Sequence, residues 1–470
     1  MEFYQGLHII KKTSIIGFRS FLLIVFFSLI LSVSFAQDFN EDFQSIDKST
    51  YILYTQKKWD SLIQTGNQAL KSGIDYFYLR KRIGIAWYEK ENYFKATEHF
   101  EKALKFSSSD ATVQEYLYYC YIFSNRKKEA RVLSTKFNNS LKEKLNTQKN
   151  NVFEKVYLET GPTFSNNIKQ NQIQRPGFNN NTSLGQDLND DKYYVHAGFE
   201  VNLSKRISAY FGYSFLSISK LKQILFPGIF PPGNQNLGPF YNDEYKLFQN
   251  EFYGNLKFYL GSGFSVTSAY HFLNVQYNTI YPDIYSNPIL YDHVIYLDTS
   301  FNNHVISLSI SKRVSLFNFG ITTSWSNLNN KNQYQLGGLF TWYPKGNLNL
   351  YTTTSIVSAW EEDDNRIVFD QLIGGKVAKK LWIEGYVTFG EMVNYNEKNA
   401  FVVHNSGDKI KFRTGLNFIV LLSEHFELSF RYIYLQEEGY RFVDSIEDSQ
   451  NTTTINYQNN TILGGLKWTL

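Results

Sequence analysis

The 470-residue sequence contains a single cysteine, Cys120, and only nine prolines. A disulfide framework is therefore excluded, so stability has to come from packing and hydrogen bonding. After residue 36 there is no run of about twenty apolar residues, the length that a membrane-spanning helix requires. The 47 Lys and Arg residues nearly balance the 43 Asp and Glu residues, which argues against a nucleic-acid partner.

Signals for catalysis or metal binding are also scarce. The histidines are scattered, and none forms the His-x-x-x-His spacing of a metal site. No serine lies in a glycine-flanked nucleophile turn, although a lipase-like Ser–His pair remains an open alternative. Cys120 aligns with Ala86 in a repeat described below, so we interpret it as a buried small residue. We expect no enzymatic activity, no cofactor and no metal.

Two features stand out at the level of the whole chain. Residues 1–36 carry Lys11, Lys12 and Arg19, then an apolar run, then small residues at Ser34 and Ala36. This order predicts a secretory signal peptide and a mature chain that begins near Gln37; an uncleaved anchor is the alternative. Aromatic residues are unusually frequent, with 40 Phe and 35 Tyr, and most of them lie after residue 150.

Residues 37–150 show a helical pattern that recurs every 34 residues. This offset aligns Trp59 with Tyr93, Ala69 with Ala103 and Ala96 with Ala130. The middle copy, YLRKRIGIAWYEKENYFKATEHFEKALKFSSSD, resembles the tetratricopeptide repeat family. Its small residues Gly84, Ala96 and Ala103 are typical of two helices that pack closely. The third copy has Tyr118 where glycine is expected, and the first lacks a recognisable start. The resemblance implies a scaffold of helical hairpins.

From residue 151 to residue 470 apolar and polar residues alternate, as in VHAGFEVNL, which predicts about fourteen strands. Very short connections, such as LGSGF and VAKKL, alternate with mostly long polar ones. This is the layout of an outer-membrane barrel with its short turns in the periplasm. A large soluble β-sandwich is the alternative. The predicted fold is therefore a two-domain α + β chain: periplasmic helical repeats, then an antiparallel transmembrane barrel.

The chain ends on ILGGLKWTL, an alternating strand with no polar tail. In hydrocarbon every backbone amide needs a partner, so we expect this strand to close the barrel against the first one. It resembles the terminal strand of bacterial outer-membrane proteins, which implies recognition by the barrel assembly machinery. It differs in ending on Leu470 rather than phenylalanine.

Two sets of residues are candidate functional sites. The concave face of the repeats is predicted to form a client-binding groove, or to pack against a helix or the barrel rim, through Tyr78, Lys81, Ile85, Tyr88, Glu89, Glu115, Tyr119, Ile122 and Phe123. The inward-facing positions of the barrel are predicted to line a hydrophilic passage or, as we favour, an ion-pair network: Glu384, Lys411, Arg413, Glu427, Arg431 and Lys467, with Lys155, Glu159 and Glu200. An acidic tetrad, Glu361 to Asp364, is predicted in an outer loop, solvated or holding a divalent cation.

The order of parts resembles the surface lipoprotein assembly modifiers, the YaiO-like outer-membrane family and the exopolysaccharide exporters. This resemblance implies an outer-membrane protein whose periplasmic repeats bind a lipoprotein or other polypeptide client for export or surface assembly. The alternatives are an exopolysaccharide export porin with a glycan client, and a closed barrel that anchors the repeats for an envelope complex. Outer-membrane lipid is an expected partner in each case.

Overall fold

The computed structural model describes residues 43–147, 151–174, 182–226, 238–283, 293–362, 364–445 and 448–470. The predicted signal peptide, residues 1–36, lies outside this part of the chain. The described residues form a helical domain followed by a closed antiparallel barrel of fourteen strands. The predicted fold class is therefore confirmed.

The helical domain consists of antiparallel hairpins with a constant period. The first helix of each hairpin begins at Phe43, Phe77 and Ala111, and the second begins at Trp59, Tyr93 and Lys127, so every start recurs after 34 residues. None of the described helices is both long and apolar enough to cross a membrane. The seven helices are α1 (Phe43–Thr55), α2 (Trp59–Lys71), α3 (Phe77–Glu89), α4 (Tyr93–Phe106), α5 (Ala111–Phe123), α6 (Lys127–Ser134) and α7 (Asn139–Lys144).

Close approach between α3 and α4 depends on a glycine. A Cβ atom built on Gly84 would lie 2.6 Å from the ring of Phe100, so the ring packs directly on the α3 backbone. Phe100 and Ala96 are fully buried in the same cluster, together with Cys120. Burial raises the pKa of the Cys120 thiol, in agreement with its interpretation as a packing residue. The repeat pattern in the sequence is thus a pattern of small and large core residues.

The barrel wall follows the chain in order, and its last strand pairs with its first. Its strands are β1 (Phe153–Ser165), β2 (Thr182–Asn202), β3 (Ile207–Leu225), β4 (Phe240–Gly261), β5 (Phe264–Pro282), β6 (Val294–Val314), β7 (Phe317–Ser326), β8 (Gln333–Trp342), β9 (Leu350–Glu361), β10 (Asp364–Ala378), β11 (Leu381–Met392), β14 (Lys409–Leu421), β15 (Phe426–Ser445) and β16 (Asp448–Thr469). A short helix, α8 (Asn167–Asn171), follows β1. Two short strands, β12 (Tyr395–Glu397) and β13 (Val402–His404), pair only with each other.

The seam between β1 and β16 keeps one register from Lys155 opposite Thr469 to Ser165 opposite Asn459, with an interruption at Gly161 and Pro162. The terminal strand therefore closes the barrel, as its alternation predicts. Side chains of one parity point outward and are largely apolar and exposed, whereas those of the other parity point into the lumen. Leu428, Phe430 and Tyr432 on β15 are exposed, and Arg431 between them forms an ion pair in the lumen.

The six predicted short turns all lie at one end of the barrel, which we call the short-turn rim; the other end is the long-loop rim. The connection between β9 and β10 does not fit the predicted pattern. Glu361 ends β9 and pairs with Asp364, which begins β10, so the two strands are joined by a short connection and not by a long loop. Asp363 itself lies outside the described residues.

At the long-loop rim, two strands pair that are not neighbours in the barrel wall. Residues Arg441 to Ser445 of β15 pair with Gln186 to Thr182 of β2, although β16 and β1 separate these two strands in the wall. The β15–β16 hairpin therefore bends across the mouth. Ile455 of β16 packs in this region against Leu188 and Leu221.

Candidate functional site: the lumen and its two ends

The connection between β11 and β14 enters the lumen. Its strands β12 and β13 form a hairpin, residues Tyr395 to His404, which we call the lumen hairpin. Both of its ends start from the long-loop rim, where Arg366 Nη1 donates to the carbonyl of Val393 at 2.9 Å. On the other side, Asn189 donates to the carboxylate of Asp408 at 2.6 Å. The hairpin is therefore attached to the wall before and after it enters.

Aromatic rings hold one face of the lumen hairpin against strands β2 to β4. The ring of Phe401 lies 5.1 Å from that of His196, 6.1 Å from that of Tyr210 and 5.1 Å from that of Tyr253, measured between centroids. His196 is itself fixed, since its Nε2 lies 2.7 Å from the hydroxyl of Tyr210. Edge-to-face ring pairs of this kind add to the apolar area that the phenylalanine buries.

Backbone carbonyls of the hairpin tip accept hydrogen bonds from the wall. Tyr253 donates its hydroxyl to the carbonyl of Asn399 at 3.0 Å, and His271 Nδ1 donates to the carbonyl of Ala400 at 2.7 Å. His271 is fully buried, and its Nε2 lies 3.3 Å from the carboxylate of Glu251. Because a carbonyl oxygen can only accept, His271 Nδ1 carries the proton of its hydrogen bond to Ala400.

An ion-pair cluster holds the opposite face. Arg413 of β14 donates from Nη2 to Glu397 of the hairpin at 3.0 Å and to Thr388 of β11 at 3.0 Å. His404 Nε2 lies 2.9 Å from the second oxygen of Glu397. Removing one partner of such a buried pair strongly destabilises the folded state, because the other charge then stays unpaired in a site of low dielectric constant.

The tip of the lumen hairpin has an unusual backbone. Lys398, Asn399 and Ala400 all have positive φ values, of 53°, 58° and 62°. This left-handed region costs roughly 1–2 kcal/mol per residue for residues other than glycine, and least for asparagine. The wall contacts to the carbonyls of Asn399 and Ala400 therefore hold a turn that the isolated segment would not favour.

The predicted lumen residues other than Lys411 lie at inward-facing positions, and each of the set has a partner. Glu384 accepts from Asn417 Nδ2 at 2.8 Å and from the hydroxyl of Tyr351. The cationic and acidic members form these pairs: Arg413 with Glu397, Arg431 with Glu159 at 3.4 Å, Lys467 with Glu427 at 2.5 Å, Lys411 with Glu391 at 2.5 Å, and Lys155 with Glu200 at 2.8 Å. Charges of opposite sign therefore lie side by side, as an ion-pair network requires.

Lys411 is the extra residue of a bulge in β14 between Ile410 and Phe412, and it pairs with Glu391 and Glu438. Glu438 shares the outward parity of the exposed Tyr440 and Phe442, so Lys411 does not face the lumen, contrary to the prediction.

At the short-turn rim the helical domain contacts the barrel through the first turns of α4 and α6 and through the residue that follows α5. Glu129 accepts from the amide of Gly263 at 2.9 Å. Arg313 donates to the carbonyl of Ser124 at 2.7 Å and lies 4.7 Å from the ring of Phe94. The ring of Phe94 in turn lies 4.8 Å from that of Tyr343. Charged, aromatic and backbone contacts thus fix the helical domain to three separate barrel turns.

A glycine makes part of this docking possible. The amide of Phe94 donates to the carbonyl of Gly346 at 3.1 Å. Gly346 has a φ of +66°, and a Cβ atom there would overlap the side-chain oxygen of Asn92. That oxygen caps α4 by accepting from the amide of Lys95. The positive φ of Gly346 disfavours any residue with a Cβ atom, and the contact with Asn92 leaves no space for one.

The predicted groove residues divide into separate groups. Tyr88, Tyr119 and Phe123 share an aromatic cluster with Tyr93 and Tyr116, with ring centroids 4.8 to 6.5 Å apart. Ile85 is buried in the core, so its side chain does not reach the surface. The remaining members lie elsewhere: Tyr78 is exposed beside Arg82, Lys81 pairs with Asp110, Glu115 pairs with Lys144, Glu89 is exposed, and Ile122 packs on the core.

The acidic tetrad offers little to a cation. Glu361 is 8% exposed, and its carboxylate accepts from Arg366 at 2.9 Å and from Gln333 at 2.6 Å. Lys331 lies 3.2 Å from its other oxygen. In the described ranges there is no group of three His, Cys, Asp or Glu residues able to hold a metal ion.

Sequence reasoning did not find the lumen hairpin. The segment between β11 and β14 resembles any other polar loop, and Gly407 near its second end is the turn signal that such a loop would carry. Its only unusual features are Tyr395 and Phe401, two large aromatic residues in a connection that would otherwise be expected to face water. Such a pair is a weak sign that a loop packs on something.

No family model matches the sequence, and no curated protein matches it. Among solved structures, a deletion mutant of the TodX monoaromatic hydrocarbon channel is 8% identical, with a TM-score of 0.41, and the match covers 73% of this chain and 94% of that one. A FadL homologue of Pseudomonas aeruginosa is 9% identical, with a TM-score of 0.37, covering 67% and 89%. A mutant of MamA is 19% identical, with a TM-score of 0.21, covering 22% and 76%.

Proposed function

We propose that the protein is an outer-membrane barrel with a closed lumen, which holds its helical repeats at the periplasmic rim as a docking surface for a partner polypeptide. The observation that carries this proposal is the lumen hairpin. It occupies the interior of the barrel and is held on two faces, by aromatic rings on β2 to β4 and by the Arg413 ion pair on β14.

The outward face of the barrel supports a membrane location. Large apolar side chains such as Phe252, Ile321 and Ile367 are more than half exposed, and they alternate with polar residues that face the lumen. Exposed aromatic residues lie near both rims, as expected for the two interfaces of a bilayer. They are Phe153, Phe317, Trp342, Phe426 and Trp468 at the short-turn rim, and Tyr193, Tyr296, Tyr334 and Trp360 at the long-loop rim.

The docking of the helical domain supports the scaffold role. The contacts of Phe94, Glu129 and Ser124 with three barrel turns fix the orientation of the repeats relative to the membrane. The rings of Tyr119 and Phe123 stack on each other at 5.9 Å within the helical domain, and Phe123 is 41% exposed. We assign the partner to this surface, since clustered aromatic residues are typical of interaction sites.

Electrical conductance in planar bilayers tests the closed lumen. We expect the full chain to show no steady ohmic conductance, and a variant with residues 395–404 replaced by a Gly-Ser linker to conduct steadily, because the hairpin fills the middle of the lumen. Phe401→Ala should give intermittent openings, whereas Phe317→Ala, on the outward face, should remain silent. Steady conductance of the unmodified chain would contradict the proposal and favour export through the lumen.

A further inference from the structure

A polar cavity lies where the helical domain, the barrel wall and the lumen hairpin meet. Its volume is about 330 Å³, within the range of small-ligand sites. Lys127 and Lys128 of α6 lie on one side of it, and Asn399 of the hairpin tip on another. The rest of the lining comes from Asn125 of the helical domain and from strands β1 to β5, which contribute Glu154, Lys155, Glu200 and Lys257 among others.

The charges in this cavity do not balance. Lys128 pairs with Glu154 at 3.2 Å, and Lys155 pairs with Glu200 at 2.8 Å. Within the described part of the chain, neither Lys127 nor Lys257 forms an ion pair; Lys257 lies 5.1 Å from the ring of Tyr259. Four lysines therefore face two glutamates, which leaves two positive charges without a carboxylate partner.

Neutral hydrogen-bond donors surround these charges. Ser208 and Thr267 contribute hydroxyl groups, and Asn399 contributes a side-chain amide. The hydroxyl of Tyr210 is bonded to His196, and the amide of Asn255 donates to Tyr253. Amide and hydroxyl donors from several directions, together with two ammonium groups, suit a compact ligand with several acceptor oxygens.

The environment of Lys127 indicates that the cavity lacks a negative charge to pair with it. Partial burial, together with the nearby ammonium of Lys155, lowers the pKa of Lys127, although the side chain keeps access to solvent at the edge of the cavity. An anion in the cavity would favour the charged form of Lys127 by offsetting the repulsion from Lys155. Lys127 is also the first residue of α6, where the helix dipole adds positive potential.

We propose that this cavity binds a dianionic oxyanion of the phosphate type, held between Lys127 of the helical domain and Lys257 of the barrel wall. The volume limits the ligand to inorganic phosphate or a small phosphate monoester. Because the two lysines belong to different domains, the bound anion connects the helical domain to the barrel. This site is independent of the proposed docking surface.

Calorimetric titration of the full chain in detergent micelles, at pH 7 and constant ionic strength, tests the proposal. The probes are inorganic phosphate and glycerol 1-phosphate, and we expect saturable binding with one site per chain. Tighter binding of glycerol 1-phosphate would identify a phosphate monoester as the natural ligand, and tighter or equal binding of phosphate would identify the free anion. Absence of saturable binding for both probes would overturn the proposal.

Variants locate the binding. We expect Lys257→Gln and Lys127→Gln each to weaken binding by roughly tenfold or more, because each removes a charged hydrogen-bond donor. Lys257→Arg should retain binding, which separates loss of charge from loss of folding. Lys205→Gln is the matched control, since Lys205 is an exposed lysine in the turn between β2 and β3 at the same rim. Equal affinity in all four variants would place the anion elsewhere and refute the site.

Discussion

The two domains of this chain have interiors of opposite chemistry. The interior of the helical domain is apolar, built from residues such as Leu79, Ile83 and Phe100 that are fully buried. The lumen of the barrel buries Glu251, His271 and Asn303 to a similar extent. The helices bury their apolar side inward, whereas a barrel in a bilayer turns its apolar side outward and fills its interior with polar residues. The comparison shows that apolar and polar residues exchange places between interior and surface when the solvent around the domain changes.

The free energy of unfolding should fall most when one partner of an ion pair in the polar barrel interior is removed. We expect Arg413→Met to lower the free energy of unfolding by about 3–5 kcal/mol, because Glu397 of the lumen hairpin then keeps a charge without its guanidinium partner. The double variant Arg413→Met with Glu397→Gln should recover most of this loss, since both charges are then absent. Urea unfolding in detergent, followed by tryptophan fluorescence, measures each value. A single variant as stable as the unmodified chain would show that the lumen tolerates an unpaired charge.

His99 is an exception to the apolar interior of the helical domain, and it gives that domain a pH dependence. Burial, together with the nearby Arg80 guanidinium, lowers the pKa of His99 to about 3. The unfolded chain, with a pKa near 6.5, binds the proton first as the pH falls, so stability present above pH 6.5 is lost towards pH 3. We expect a loss of about 2 kcal/mol at pH 5.

Helix content measured by circular dichroism at 222 nm, as a function of urea at pH 7 and pH 5, tests this expectation. His99→Gln should remove the difference between the two pH values, because glutamine does not titrate. Hydrogen bonds from arginines help to lower the pKa values of Asp47 and Asp75. These two carboxylates therefore change the stability only below about pH 4. An unchanged pH dependence in the variant would assign the effect to other groups.

The contact between the helical domain and the barrel should be the least sensitive to substitution. Gly346→Ala is expected to weaken docking of the helical domain by about 1 kcal/mol, because the new Cβ meets Asn92 and the residue keeps a positive φ. Hydrogen exchange at the amide of Phe94, which bonds to Gly346, should become several-fold faster. Gly338→Ala is the matched control, since its Cβ would meet no atom within 4 Å. Equal protection in both variants would show that this contact does not hold the domain.

Local patterns in the sequence account for the correct predictions of the repeat core and the barrel wall. The 34-residue period placed Gly84, Ala96 and Ala103 in the repeat core, because helix packing depends on positions close in sequence. Strand alternation and short turns likewise predicted the wall, the six short connections and the closing strand. The inward direction of Arg413 and Arg431 followed from the same parity.

The contents of the lumen could not be predicted in this way. Glu397 pairs with Arg413 and Phe401 packs on His196 only after the barrel has closed, and no local pattern records such contacts. The prediction of a loop at Glu361 was wrong for a related reason. Four acidic residues in sequence indicate solvent, yet Arg366 and Lys331 neutralise Glu361 from neighbouring positions.

The pairing of β15 with β2 across the long-loop rim has a consequence for the order in which the chain assembles. Arg441 bonds to Gln186, a partner 255 residues earlier, so this end of β2 stays incomplete until almost the whole chain has been delivered. Contacts so distant in sequence form late. The lumen hairpin precedes β15 in the chain and lies beneath this pairing. We therefore expect the lumen hairpin to enter the barrel first, so that completion of the mouth follows it and traps the hairpin inside.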